Sequence, residues 1–332
     1  HVFIRQNGMT MSDFSAKRAE LIAQAGVPTA DQRLALADLT DEWIQERTGI
    51  IERRFAAPEE TSASMGAIAG TRALADAGIA ATDIDVVIVA TFTHRHATPS
   101  SAAEIAHLVG ATNASAFDIS AACAGFCYGV GLSDSLVRSG SAKNILLIGT
   151  EKISDVTDYD DRGTAFIFAD GAGAVVISAS DVPGIAPTVW GADGSSMDAI
   201  IMQPDTYTAA REGKPSLLTM EGQRVFRWAV GSIGEVCERA LDAAGIAASE
   251  LSAFVPHQAN LRITNAIVKK LDLPESVVVA TDIQYTGNTS AASVPLAMDA
   301  LRSLGQLKSG EPILMVGFGA GLAFAAQVAL AP

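Results

Sequence analysis

Cysteine is scarce in this chain of 332 residues: Cys123, Cys127 and Cys237 are the only three. So odd and sparse a set builds no disulfide framework. Cys123 and Cys127 share a helix face, but no His or Cys cluster near them completes a zinc site, and no metal is expected. Aromatic residues are few, at 6%, and only 18% of residues are charged. Basic residues are outnumbered, 23 Lys and Arg against 37 Asp and Glu, and the formal net charge of −14 argues against nucleic acid as a partner. No run of 18 apolar residues occurs, and His1 to Gly8 lacks a signal-peptide core. A soluble, cytoplasmic protein without membrane association is therefore expected. What is present is 49% hydrophobic residues, enough for a large core in one α/β unit or in two similar halves.

The chain repeats itself. Arg72 to Val89 reads RALADAGIAATDIDVVIV and Arg239 to Val255 reads RALDAAGIAASELSAFV, an offset of 167 residues. Each copy predicts an amphipathic helix closed by a glycine (Gly78, Gly245), a Thr/Ser–acidic turn and an apolar strand. Downstream, a helix after Cys123 leads to the apolar strand Asn144 to Gly149, and a helix after Asn288 leads to the strand Pro312 to Val316. Ala172 to Ser178 and Leu322 to Leu330 close the two halves. Uninterrupted apolar strands alternating with helices predict a largely parallel sheet in each half, buried on both faces. The boundary falls at 179/180: residues 1–179 carry Cys123, and residues 180–332 carry His257 and Asn288. Val2 to Arg5 reads as a strand, Ser12 to Ala25 as a helix, Asp41 to Arg54 as helix, glycine stop and strand, and Asp193 to Gly222 as a loop excursion.

Four constellations carry the chemistry. Cys123 in FDISAACAGFCYGV stands at a helix start among small residues, where unpaired N–H groups and the dipole favour a thiolate; a buried, inert cysteine is the competing reading. His257 follows a buried strand of the second repeat, at the sheet end where α/β proteins place ligands, although a lone histidine there is commonly structural. Asn288, in GNTS, presents an amide at a helix start, where it also suits an ordinary N-cap. Gly317-Phe318-Gly319-Ala320-Gly321 lacks the spacing of a dinucleotide fingerprint and better suits a turn whose N–H groups face an oxyanion. Asp118 apart, none of the four motifs contains an acidic residue. A thiol nucleophile, an imidazole, an amide and an oxyanion turn suit covalent storage of an acyl group followed by a thioester enolate.

These motifs, AACAGF, PHQAN, GNTSAASVP and GFGAG, strongly resemble the β-ketoacyl-acyl-carrier-protein synthase III family of the thiolase superfamily, of actinobacterial type. The resemblance runs from about Asp41 to Pro332. It implies a layered αβαβα thiolase-like fold of two βαβ-rich halves and a homodimer. It further implies that Cys123 takes the acyl group from acyl-CoA, that His257 and Asn288 hold the malonyl thioester carbonyl while CO2 leaves, and that the N–H groups of Cys123 and Ala320 form the oxyanion hole. Phe318 is the gate over the cysteine. Trp43 and Arg47 match the coenzyme A segment DEW-x-x-x-RTGI; Arg162 and Asn260 match further coenzyme A contacts. Arg262, Lys269 and Lys270 form a basic cluster for an acidic malonyl-acyl carrier protein. Thr98 matches a position from which the dimer mate lines the primer pocket, and relatives restricted to acetyl primers carry a bulky aromatic there. Acyl-CoA and malonyl-carrier protein are substrates, and no cofactor is implied.

Residues 1–38 depart from the family's usual opening of strand, glycine turn and proline segment. Alternatives of the same fold are a type II polyketide starter-unit synthase, an acyltransferase and a chalcone synthase-like enzyme. A non-catalytic binding protein and a dinucleotide-dependent oxidoreductase are the readings from other classes; the intact Cys123, His257 and Asn288 disfavour the first, and the glycine spacing the second.

Overall fold

The repeat becomes two five-stranded sheets in a computed structural model, which describes residues 2–3, 8–9 and 39–332. The first sheet runs, edge to edge, Val2–Phe3, Gly171–Ser178, Asn144–Glu151, Val86–Ala90 and Ser115–Ile119. The second runs Val278–Val279, Ala253–Pro256, Pro312–Gly319, Ala323–Leu330 and Val189–Ala192. Val86 pairs in parallel with Ile145, and Ala253 with Ile313, so the duplicated sequence keeps its register.

Three helical layers alternate with the two sheets, αβαβα. Ser62–Ala77 and Ser101–Val109 cover the outer face of the first sheet. Gly125–Arg138 and Ser293–Ser303 lie between the sheets in a shared core with Val86, Ile145, Val255 and Ile313. Gly222–Ala244 and Leu261–Lys270 cover the outer face of the second. Phe126 and Phe254, fully buried in these cores, each contribute about 2–3 kcal/mol by burial alone. The helices that open the repeat stop where expected: Gly78 and Gly245 adopt φ of 67° and 69°, a left-handed cap that costs any other residue a Cβ clash.

Two expectations change in detail. Three strands of each sheet are parallel, Asn144–Glu151, Val86–Ala90 and Ser115–Ile119 in the first and Val278–Val279, Ala253–Pro256 and Pro312–Gly319 in the second; Gly171–Ser178 and Ala323–Leu330 run antiparallel to their neighbours. The turn Ala320–Leu322 is too short for the crossover that a parallel strand requires. The excursion Asp193 to Gly222 is ordered: Ile200–Gln203 and Leu217–Met220 pair antiparallel around the helix Thr206–Glu212. Leu218 anchors it by donating its N–H to Val156 O at 2.8 Å and packing with Ile153 and Phe168, contacts whose partners lie far away in sequence. Val2–Phe3 pairs antiparallel with the strand Gly171–Ser178, whereas the helix expected over Ser12 to Ala25 lies outside the described residues.

Candidate active site

Cys123 sits in a single 3-10 turn, Ala122–Ala124, that feeds the helix Gly125–Arg138. Ala122 immediately before it has φ of 42°, a left-handed geometry costing an alanine about 1 kcal/mol. The second half repeats the device, with Ser290 at φ 49° in the turn Ser290–Ala292 that feeds Ser293–Ser303. These two turns meet between the sheets and close one end of a cavity of about 1020 Å3. Cys123, His257, Asn288, Phe318 and Ala320 all line it.

Each polar group has one side committed and one side turned to the cavity. His257 Nδ1 lies 2.7 Å from Ser293 Oγ, and Gln258 N–H donates to the same oxygen at 3.3 Å. Ser293 Oγ accepts from Gln258 and has its own proton to donate to Nδ1; in that tautomer Nε2 carries the ring proton. Burial lowers the His257 pKa to about 3, so the ring is a neutral donor at every working pH. Asn288 Oδ1 accepts from Ser290 N–H at 2.9 Å, which leaves its Nδ2 as the donor. The bond is an Asx turn and not the expected N-cap: Thr289 and Ala292 hold the N-cap positions that follow, without side-chain cap bonds. Phe318 is buried, its ring edge-on to His257 at 5.3 Å.

The glycine turn touches the nucleophile. A Cβ on Gly319 would lie 2.8 Å from Cys123 Cβ and 3.0 Å from its Sγ, distances that require a shift of the cysteine itself. Gly319→Ala should therefore displace the thiol. Overpacking of this kind costs about 1–3 kcal/mol, and Cys123 alkylation should slow at least about tenfold. An unchanged alkylation rate by mass spectrometry would show that the turn does not set the thiol's position.

The thiol departs from the sequence reading. Burial drives its pKa up to about 12; Ser290 hydrogen-bonds it and opposes the rise, while the charge of Glu151 adds to it. The helix start does not by itself yield a resting thiolate, because water loss outweighs it. Glu151 is the residue that motif reasoning missed. It is fully buried at the end of Asn144–Glu151, and its signal was an acid closing a strand whose centre, Ile145 to Gly149, is apolar.

The cavity opens past Trp43, Arg47, Arg162, Asn260 and Arg262. The Arg47 guanidinium stacks 4.3 Å from the Trp43 ring centre and that of Arg162 lies at 5.8 Å. Asn260 caps the helix Leu261–Lys270 and donates from Nδ2 to Arg47 O at 3.0 Å, tying the two segments together. Arg262 lies over Phe226 at 5.3 Å. Lys269 and Lys270 close that helix away from the cavity, and Lys270 pairs with Glu238 at 3.0 Å. Thr98 stands apart from the cavity, on an exposed loop. Among the described residues no group of three or more His, Cys, Asp or Glu could hold a metal ion, and no helix is long and apolar enough to cross a membrane.

Comparison with known proteins decides the family. Residues 117–194 match the model of 3-oxoacyl-[acyl-carrier-protein] synthase III, and residues 241–330 match that of its C-terminal part. A β-ketoacyl-[acyl-carrier-protein] synthase III of Streptomyces glaucescens is 52% identical over 302 residues, 90% of each chain. The chain belongs to the β-ketoacyl-acyl-carrier-protein synthase III family. A synthase III of Mycobacteroides abscessus is 49% identical, covering 92% of this chain and 91% of its own. Among solved structures, a priming β-ketosynthase of a polyketide biosynthetic pathway superposes with a TM-score of 0.91 at 42% identity, covering 100% of this chain and 94% of its own. The Aquifex aeolicus synthase III superposes at 0.86 and 38% identity, covering 99% and 97%. The chain is accordingly a β-ketoacyl-acyl-carrier-protein synthase III, an acyl-transferring condensing enzyme with the thiolase-like fold.

Proposed function

We propose that this synthase III loads an acyl-CoA primer on Cys123 and condenses it with malonyl-acyl carrier protein, starting fatty acid synthesis in the cytoplasm. The observation that carries this reading is the convergence of Cys123, His257 Nε2 and Asn288 Nδ2 on one cavity. The Cys123 sulfur attacks the primer thioester, coenzyme A leaves as the thiol, and the acyl group stays on sulfur. The malonyl thioester then enters; its bond to the carboxylate breaks, CO2 leaves, and the enolate oxygen is held by the two N–H donors of His257 and Asn288. Its carbon attacks the acyl carbonyl, the N–H groups of Cys123 and Ala320 hold the oxyanion, and collapse expels the Cys123 thiolate with 3-oxoacyl-carrier protein as product. Phe318, packed on His257, keeps water from the malonyl carboxylate. The reading needs no cofactor.

The mouth supports the substrates. Trp43, with the Arg47 and Arg162 guanidinium groups 4.3 and 5.8 Å from its ring centre, suits an adenine ring with its phosphates. Arg262 at the mouth, with Lys269 and Lys270 at the far end of its helix, offers positive charge on a chain of net charge −14, which draws an acidic carrier to this face. Intact-protein mass is the test. Incubation with a panel of acyl-CoAs should give a thioester adduct that malonyl-carrier protein discharges; no adduct from any primer would overturn the reading. The likeness to a priming ketosynthase favours a second reading, a polyketide starter-unit synthase, in which the preferred adduct is an unusual primer. An adduct that malonyl-carrier protein leaves intact would instead mark an acyltransferase.

The exposed edge of the first sheet supports a homodimer as part of this reading. Ser115–Ile119 is an edge strand, Phe117 on it is exposed, and Ile119, Tyr128, Leu132 and Trp190 line an apolar groove beside it. Such an edge is normally covered. In that dimer Thr98 enters the mate's primer pocket, and each methylene it leaves room for is worth about 0.8 kcal/mol when buried. Thr98→Phe should shift use from branched or medium-length primers towards acetyl-CoA by about tenfold or more in kcat/KM ratio. An unchanged primer profile would remove Thr98 from the pocket.

A further inference from the structure

Glu151 is held by a set of contacts larger than a strand end needs. Its carboxylate accepts from Thr93 Oγ at 2.6 Å, Thr91 Oγ at 3.1 Å, and the N–H groups of Phe92 and Thr93 at 3.2 Å. Its other oxygen accepts from Ser290 Oγ at 3.4 Å, and the Ser290 hydroxyl also hydrogen-bonds the Cys123 sulfur. A fully buried carboxyl thus stands one hydroxyl away from the nucleophile, at the seam between the halves. No cation faces it. The loop Thr91–Thr93 contributes only hydroxyls and amides, and Arg95 beyond it pairs with Asp155 at 2.8 Å. Lys152 turns its ammonium to the carbonyls of Ala57, Pro58 and Glu60 and to Asp155 at 3.5 Å. Asp170 is bonded to Ser154 and Ala56. The second half supplies the neutral Ser290.

We propose that Glu151 is a positioning residue that shares one negative charge with Cys123, linked through Ser290, so that the thiolate forms only while Glu151 carries a proton. The exchange balances: the thiol proton passes to Ser290 Oγ as the hydroxyl's own proton passes to the Glu151 carboxylate, and a single negative charge moves to sulfur. Two ions cannot coexist there without solvent or a cation between them. Burial raises the Glu151 pKa to about 8, in keeping with that arrangement. Below this pH the pair holds both protons, and thiolate grows as pH rises. Above it the pair holds one proton, and the thiolate fraction stays constant until the second proton leaves. The inference rests on Cys123 being the acylated residue, but its test does not.

The test is the rate of Cys123 alkylation by iodoacetamide in the full-length protein across pH, located by peptide mass. The wild-type rate should climb about tenfold per pH unit up to about pH 8 and then level off to about pH 10. Glu151→Gln, which keeps the shape without the charge, should match wild type at low pH and continue to climb, exceeding it about tenfold near pH 9. A Gln profile lower by one constant factor at every pH would reduce Glu151 to a structural clip and overturn the proposal. So would a wild-type rate that climbs unbroken through pH 8, a result that needs no variant to fold. Failure of every acyl-CoA to form an adduct would overturn the synthase chemistry at Cys123 while leaving the alkylation profile to decide the shared charge.

Discussion

Cys123→Ala is expected to leave no acyl adduct with any acyl-CoA and to lower condensation by at least about 10^4-fold. The substitution removes only the sulfur from a buried position, so the fold should lose no more than about 1–2 kcal/mol. The informative part is what survives. His257 and Asn288 stay bonded to Ser293 and Ser290, so their donors keep their place. The variant should still release CO2 from malonyl-carrier protein without a primer, because the enolate is stabilised at a site that contains no sulfur. Radiolabelled CO2 release with intact-protein mass measures both halves. Persistence of a thioester adduct on Cys127 or Cys237 would displace Cys123 as nucleophile; loss of decarboxylation together with acylation would contradict the division of labour.

The complementary expectation concerns His257→Ala and Asn288→Ala. Each removes one N–H donor to the enolate, a loss worth about 10^2 to 10^3 in rate when the site is dry and preorganised. Acylation of Cys123 should change by less than about tenfold, since neither donor contacts the primer carbonyl in the proposed sequence of steps. The wild-type rate of decarboxylation should also show no histidine limb near pH 6.5. His257 is neutral well below that pH because burial disfavours its cation, and raising the pH from 5 to 8 leaves its donor unchanged. A limb near 6.5 that vanishes in His257→Ala would show that the cation is the working form. Equal loss of acylation and decarboxylation in Asn288→Ala would assign the amide to the thiol's position instead.

How far the residues alone reached is clearest at particular elements. The repeated helices with Gly78 and Gly245, and the buried strands Val86–Ala90 and Ala253–Pro256, were legible because cap chemistry and apolar periodicity are local. The four motifs were legible because each couples an unusual side chain to a strand end or helix start within a few residues. The excursion after Asp193 was not: its strands owe their pairing to Leu218 docking on Ile153 and Phe168, partners some fifty or more residues away. The mixed strand direction also depended on what each chain end could reach, which periodicity does not encode.

The sequence by itself determined the duplication, the thiol, imidazole and amide, and the sheet ends at which they stand, because these follow from short-range pattern and residue chemistry. Only the tertiary structure decided which proton each group commits. Ser293 orients His257, Ser290 ties back Asn288, and Glu151 stands behind Ser290 at the cavity end that holds Cys123. The reason is electrostatic. A charge or a tautomer is set by the solvent excluded around it and by donors from other segments, and those come together only when the two halves close on one another.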